Sequence, residues 1–392
     1  MQITLDGSLF DRPSDEEALH LAELLLVAAR DETPHIVVRT DPIYEQANER
    51  GALHAWLESR PAHENRAFRS VLARSLLNAR GPRNEAATDR QTPPRFGLPG
   101  RLSVRAERGV TSDWRARRVT LADAVDLLRE PVHLMLENER TDRTFVLFLA
   151  DATNRDMLRK LIDVPGRIHS HGGGSGEMKR WLEGLLGGEP TSAQWRRMLR
   201  TWVLFDRDTG DEDGLAPSRS AVQIMEVCQE VVAKLGPGLT WICLGRREIE
   251  SYVPDQALLD ESTDPQKPFA HRVTAWRAQD DRKAWAWSVD LKNGLMGDRH
   301  PKWKEGLSTE EAKEFEKNDP PLVARMLKEP FRTLTDDEIR DMKRGFGKKK
   351  LAEALFAVCE KGWSSDISTE YDRGPADQVP RQALVQSLFD RV

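Results

Sequence analysis

The sequence has few cysteines and no long apolar run, and both absences narrow what the chain can be. Its three cysteines, Cys228, Cys243 and Cys359, lie far apart and form no Cys-x-x-Cys pair. A disulfide framework and a cysteine-based zinc site are therefore not expected, and a reducing compartment fits. No apolar run approaches the length of a membrane span, and Met1–Asp6 lacks the regions of a signal peptide. We expect a soluble, cytoplasmic protein that does not associate with membranes.

Two further absences bear on function. The chain has no Gly-x-x-x-x-Gly-Lys-Ser/Thr pattern, so an ATPase activity, if one is needed, would reside on a separate partner subunit. Neither sign of charge is in large excess, because the net charge is −5 over 392 residues. A surface for nucleic acid must then be a local basic patch and not a global field.

Short apolar segments alternate with helix-like patterns through the centre of the chain. The clearest strand predictions are Val132–Glu137, Trp202–Phe205 and Leu239–Leu244, and a further strand-like run covers Thr144–Ala150. Strands and helices that alternate at this spacing predict an α/β fold, with a mainly parallel sheet and helices on both faces.

The flanking segments differ in composition from this centre. Ser14 and Glu17 have the spacing of a capping box at a helix start. Trp285 and Trp287 are predicted to lie on one face of a strand. The predicted division is an N-terminal α+β domain (1–80), a basic linker or long loop (81–118), a central domain (119–260) and a mostly helical C-terminal region (261–392).

Acidic side chains follow several of the predicted central strands. Asp206 and Asp208 end one strand, Glu137 ends another, and Glu250 follows a third, while a glycine turn at Gly172–Gly174 precedes a helix. In open parallel sheets, chemistry collects at the carboxyl ends of the strands, and clustered carboxylates there are typical of a Mg²⁺ or Mn²⁺ site. The alternatives are that the aspartates cap the next helix or turn, and that the glycines form a tight turn without a ligand.

From Val132 to Pro254 these residues resemble a TOPRIM domain. Leu136-Glu137-Asn138 is similar to the first motif of that family, and Phe205-Asp206-Arg207-Asp208 is similar to its Asp-x-Asp motif. The segment from Leu244 to Val253 resembles that of the overcoming-lysogenization-defect nucleases and of TOPRIM effectors in bacterial phage-defence systems. The family usually has glycine where this chain has Asn138, which leaves Glu137 and Glu139 as alternatives for the first metal ligand.

The resemblance implies a magnesium- or manganese-dependent endonuclease that cuts DNA or structured RNA as the toxic effector of an antiviral defence system. Glu137, Asp206 and Asp208 would hold one ion, and Glu250 would help to hold a second. A separate ATPase subunit and a homo-oligomer are possible assemblies. The basic residues expected to contact nucleic acid are Arg246, Arg247, Lys292, Lys348, Lys349 and Lys350.

Other functions remain open at this point. A non-catalytic TOPRIM-fold subunit, binding a partner ATPase or nucleic acid, is the first alternative, and Asn138 is its support. A nucleotide-handling enzyme with a substrate phosphate on the glycine turn, Gly172, Gly173 and Gly174, is the second. A topoisomerase would need a nucleophilic tyrosine, and only Tyr44, Tyr252 and Tyr371 exist.

Overall fold

The structure is a computed structural model of the full-length chain. The residues it describes are 1–31, 35–39, 51–78, 96–100, 102–208, 216–297, 327, 331, 333–342, 345–347, 369–375 and 378–391.

The N-terminal part contains a four-stranded parallel sheet in the order β2 (His35–Arg39), β1 (Gln2–Asp6), β4 (Ser103–Ala106) and β5 (Arg118–Val119). Its first helix begins with the predicted capping box: the Glu17 amide donates to Ser14 Oγ at 3.2 Å, and the Ser14 amide donates to Glu17 Oε2 at 2.8 Å. The elements are β1 (Gln2–Asp6), α1 (Asp15–Asp31), β2 (His35–Arg39), α2 (Ala52–Glu58), α3 (Ala62–Asn78), β4 (Ser103–Ala106), β5 (Arg118–Val119) and α4 (Leu121–Arg129), with β3 (Phe96–Gly97) in a second sheet.

That second, central sheet has five strands, in the order β3, β9 (Thr240–Cys243), β8 (Thr201–Phe205), β6 (Val132–Leu136) and β7 (Ile168–Gly172). Its strands are parallel except β3, which pairs antiparallel with β9 at the edge. The remaining elements of this part are β6 (Val132–Leu136), α5 (Glu139–Leu149), α6 (Ala152–Asp163), β7 (Ile168–Gly172), α7 (Gly174–Gly184), α8 (Ser192–Leu199), β8 (Thr201–Phe205), α9 (Arg219–Leu235) and β9 (Thr240–Cys243).

Both faces of the central sheet are buried, as the alternation of its side chains shows. Leu204 belongs to one hydrophobic cluster, formed with α5, α6 and the C-terminal helices. Val203 and Phe205 belong to the other, formed with α7, α8, α9 and the N-terminal sheet. Successive side chains on a strand point to opposite faces, so β6, β8 and β9 each supply both cores. The predicted α/β class, with a mainly parallel sheet covered on both faces, is confirmed at this level.

The C-terminal part is helical where it is described, and it packs on the first of these faces. Its last helix is fixed by Trp202, whose indole N–H donates to Ser387 Oγ at 2.9 Å. The helices are α10 (Asp255–Asp260), α11 (Lys267–Arg277), α12 (Lys283–Ser288), α13 (Asp336–Met342) and α14 (Arg381–Phe389), and a 3-10 turn (Ile249–Tyr252) precedes them. No helix of the described residues is long and apolar enough to cross a membrane.

Three predictions of local structure were wrong. Thr144–Ala150 is the second half of α5 and not a strand, and Trp285 and Trp287 lie on α12. Both runs are apolar and short, and in such runs periodicity does not separate a buried helix from a strand.

The third correction concerns part of the predicted linker, residues 81–118, of which 81–95 and 101 lie outside the described residues. Its described residues supply β3 and β4 and the first residue of β5, so this segment joins both sheets. Gly97 allows the close pairing of β3, because a Cβ there would lie within 2.0 Å of the Trp241 ring. Arg105 binds Asp6 and Arg108 binds Glu17, so two of its arginines hold the N-terminal part together.

Candidate functional site

The Asp-x-Asp turn begins where β8 ends. All five residues of β8 are buried, and Asp206 follows them directly at the carboxyl edge of the sheet. Asp206 Oδ1 accepts a hydrogen bond from the Ile249 amide at 3.1 Å, and the Asp208 amide donates to the Arg247 carbonyl at 2.9 Å. Asp206 therefore accepts from the first residue of the 3-10 turn after β9, 43 positions later, and not from the next helix along the chain, which Ser218 caps.

Asp208 has a left-handed backbone, with φ of 37°. Aspartate tolerates this region better than most residues, yet such a conformation persists only where its surroundings hold it. The peptide group between Arg207 and Asp208 is held by two backbone bonds, from the Asp208 amide to the Arg247 carbonyl and from the Ser218 amide to the Arg207 carbonyl. The strand has ended by this point, so the two aspartates are placed by the turn and not by strand alternation.

Glu137 lies at the end of the neighbouring strand, β6, and is linked directly to the Asp-x-Asp turn. Its Oε1 accepts a hydrogen bond from the Asp206 amide at 3.2 Å. The next residue, Asn138, is the N-cap of α5, and its own amide donates to Asp142 Oδ2 at 2.9 Å. The capping role explains an asparagine at this position. Glu139 is exposed on the first turn of α5, so the geometry favours Glu137 as the cluster member.

The segment after β9 adds two more carboxylates and the cation that pairs with them. Glu248 and Glu250 are 4% and 7% exposed. The Lys292 ammonium lies 2.9 Å from Glu248 Oε2 and 3.0 Å from Glu250 Oε1. The predicted residues Glu137, Asp206, Asp208, Glu250 and Lys292 are thus brought to one edge of the sheet.

The charges in this cluster perturb one another strongly. Burial, then the charges of Asp208 and Asp142, raises the pKa of Glu137. Burial, then Glu137 and Asp142, raises the pKa of Asp206 well above its usual range. The pKa values of Asp142 and Glu248 are raised as well, in both cases chiefly by burial. Burial alone would lower the pKa of Lys292, but Glu248, Glu250 and Asp206 outweigh it and raise that pKa.

The donor chemistry of the cluster fits a hard divalent cation. Six carboxylates gather here, and Lys292 pairs with only two of them. Carboxylate oxygens are the ligands that Mg²⁺ and Mn²⁺ prefer. Glu248 Oε1 is buried and has no hydrogen-bond partner, which is costly for an ionised group. In the described part of the chain, however, no three acidic, histidine or cysteine side chains are already arranged around a metal position. The six carboxylates are Glu137, Asp142, Asp206, Asp208, Glu248 and Glu250.

The glycine turn is packed against the protein itself. A Cβ on Gly172 would lie 2.8 Å from the Glu139 amide nitrogen, and the Gly174 amide donates to the Glu137 carbonyl at 3.0 Å. A cavity of about 320 Å³ adjoins the turn and is lined by Glu139, Glu177 and His171. The carboxylates of Glu139 and Glu177 lie beside the start of the helix and would repel an anion bound there. The close approach of Gly172 and Gly173 is thus explained without a ligand, and the phosphate role stays a prediction.

Arg246 and Arg247 are internal residues. Arg246 is 1% exposed; it donates to the Ser251 carbonyl at 2.6 Å and pairs with Glu370 at 3.4 Å. Arg247 is 8% exposed and pairs with Asp290 at 3.4 Å. The structure therefore does not support the prediction that these arginines contact nucleic acid. The other predicted contacts, Lys348, Lys349 and Lys350, lie outside the described residues.

Sequence reasoning missed Asp142 and Glu248. Asp142 follows Asn138 by four residues, which places both at the start of one helix, but the strand assigned to Thr144–Ala150 concealed that helix. Glu248 precedes Glu250 by two residues, and this spacing was the available signal.

The chain was compared with protein families, curated proteins and solved structures. No protein-family model, curated protein or solved structure matches this chain.

Proposed function

We propose that this chain is a metal-dependent nuclease of the TOPRIM type, which hydrolyses phosphodiester bonds in DNA or structured RNA. The observation that supports the proposal is a cluster of six carboxylates at the carboxyl edge of a parallel sheet, of which Glu248 and Glu250 contact Lys292. A protein gains no stability from concentrating buried like charges, so such a cluster is typical of a functional site.

In this proposal, Glu137, Asp206 and Asp208 hold a magnesium or manganese ion, which when bound supplies Lewis-acid activation of water and of the phosphate. The chain itself orients the ligands: the Asp206 amide fixes Glu137, and the Ile249 amide fixes Asp206. The Lys292 ammonium, 21% exposed, can donate to a phosphate oxygen as charge develops on it. Burial around the cluster lowers the local dielectric and strengthens these interactions.

The proposed setting follows from the resemblance to phage-defence effectors: a cytoplasmic protein that damages nucleic acid once activated, in association with a separate ATPase subunit or as a homo-oligomer. The basic surface for such a substrate cannot include Arg246 and Arg247 in their present positions. Lys292 is the predicted basic residue that lies in the cluster.

Cleavage assays test this function. Supercoiled plasmid and transfer RNA are incubated with the protein and Mg²⁺ or Mn²⁺, with Glu137→Ala and Asp206→Ala beside the wild type. We expect nicking or cleavage by the wild type and a loss of about 10²-fold or more in each variant, because each removes a proposed ligand. Glu139→Ala is the matched control and should retain activity. Full activity in Glu137→Ala and Asp206→Ala would refute the proposed site.

One observation favours the second candidate, a non-catalytic subunit that binds a partner ATPase or nucleic acid. Lys292 already neutralises part of the cluster, because it pairs with both Glu248 and Glu250. Calorimetry separates the two functions: a wild type that binds neither Mg²⁺ nor Mn²⁺ but still binds nucleic acid would favour the subunit.

A further inference from the structure

The acidic cluster is unevenly supplied with positive charge. Glu248 and Glu250 share the Lys292 ammonium at 2.9 and 3.0 Å. Among the described residues, no lysine or arginine forms an ion pair with Glu137, Asp206 or Asp208. One side of the cluster therefore has a cation in direct contact, whereas the side at the Asp-x-Asp turn feels Lys292 only from a greater distance and has no contacting cation in the described part of the chain.

Lys292 is held in this position by its backbone. The Asn293 amide donates to Asp290 Oδ1 at 2.8 Å and the Gly294 amide to the Asp290 carbonyl at 2.6 Å, which closes a tight turn around Lys292. Asp290 is itself paired with Arg247 at 3.4 Å. The ammonium is thus directed at Glu248 and Glu250 by an anchored turn, and not by a freely moving surface side chain.

A second segment fixes the same turn from outside. The Phe346 amide donates to the Leu291 carbonyl at 2.9 Å, and the Gly347 amide donates to the Lys292 carbonyl at 2.7 Å. The contact needs a glycine at position 345, where a Cβ would lie 2.3 Å from the Leu291 carbonyl oxygen. Two independent sets of backbone bonds therefore hold the lysine against the carboxylates.

We infer that Lys292 is the second cation of this site, so that the cluster takes one divalent ion, at Glu137, Asp206 and Asp208, and none at Glu248 and Glu250. An ammonium between these two glutamates occupies the position a second ion would need and repels it. The inference rests on the proposed function, because it assumes that the remaining carboxylates hold a metal. It departs from the pair of ions that the resemblance implies, in which Glu250 helps to hold the second.

The experiment counts bound manganese on the full-length protein. Metal-free wild type, Lys292→Met, Lys292→Gln and Lys292→Arg are titrated with MnCl₂ by calorimetry, and bound Mn²⁺ is counted by equilibrium dialysis. We expect one ion per chain for the wild type and for Lys292→Arg, which keeps the charge. We expect two for Lys292→Met and Lys292→Gln, which free Glu248 and Glu250. Lys283→Met, which removes a lysine paired with Asp280 elsewhere, is the control and should bind one ion.

Other counts of bound manganese would overturn the inference, and they differ in what they imply for the proposed nuclease. Two ions in the wild type would overturn the inference and leave the proposed nuclease intact. One ion in both neutral variants would also overturn it, since Lys292 would then not exclude a second ion. No ion in the wild type would contradict the metal-dependent function as well as the inference. Should Lys292→Met unfold without metal, Lys292→Gln retains a side chain that can donate to the glutamates, and its dialysis count decides.

Discussion

The carboxylates of the cluster repel one another when no metal is bound. We therefore predict that removing the charge of Glu137, a proposed metal ligand, stabilises the metal-free protein. Glu137 is the residue to change, because glutamine keeps its shape and an oxygen that can accept from the Asp206 amide. Burial and neighbouring charge raise the pKa of Glu137 from 4.5 to about 7. In the unfolded chain the same carboxyl loses its proton near the ordinary value.

Because the pKa of Glu137 is higher in the folded state than in the unfolded state, the free energy of unfolding depends on pH. Between pH 4.5 and about 7 the folded state holds a proton on Glu137 that the unfolded state has lost, so the stability of the wild type falls as pH rises. Above about 7 the folded protein carries the whole penalty, which is about 3 kcal/mol at about 1.4 kcal/mol per pH unit. Glu137→Gln has no proton to lose and avoids that penalty.

The assay is urea unfolding in EDTA at about pH 4.5 and about pH 8.5. We expect Glu137→Gln to match the wild type at the lower pH and to exceed its free energy of unfolding by about 3 kcal/mol at the higher one. Glu139→Gln, an exposed change two residues away, should stay within about 0.5 kcal/mol at both. The reasoning fails if Glu137→Gln gains no stability at about pH 8.5, or if Glu139→Gln gains as much.

Two further predictions test the surroundings of the cluster. Arg246→Met should lower the free energy of unfolding by about 1–3 kcal/mol, because it removes the donors to the buried Ser251 and Glu370 carbonyls and leaves the Glu370 carboxylate with Arg373 alone. A double-mutant cycle with Glu370→Gln in urea should show coupling, and strict additivity would contradict the pairing. Gly174→Ala should destabilise the protein by about 1–2 kcal/mol, because φ at this residue is 76°. Gly176→Ala lies in open space on the same helix and should stabilise the protein by about 0.5–1 kcal/mol. Equal shifts of the melting temperature in the two variants would refute this account of the turn.

The sheet edge could be predicted from sequence because each strand carries its own signal. β6 and β8 are short apolar runs that stop at a carboxylate, and parallel strands bring such ends together whatever the rest of the chain does. The glycine turn after β7 carries a different signal, three consecutive glycines before a helix, because β7 itself is not an apolar run. Glu250 is different again: it lies beyond β9 on a 3-10 turn, and it reaches the edge through the hydrogen bond that Asp206 accepts from that turn.

The interactions that were missed depend on residues far apart in sequence. The TOPRIM resemblance predicts that Arg246 contacts nucleic acid, but Glu370, 124 positions later, pairs with it in the interior. Lys292 was predicted to lie near the chemistry, yet its role as the partner of two glutamates depends on a turn fixed by Asp290 and Gly347. Local patterns hold no information on such pairings, because they form only when distant segments pack.

The most direct test of the central claim is a crystal structure of the wild type grown with MnCl₂, with anomalous diffraction used to locate manganese. The account predicts a manganese peak among the carboxylates of Glu137, Asp206 and Asp208, with Lys292 still between Glu248 and Glu250. The absence of manganese from this edge in crystals that contain the intact cluster would contradict it.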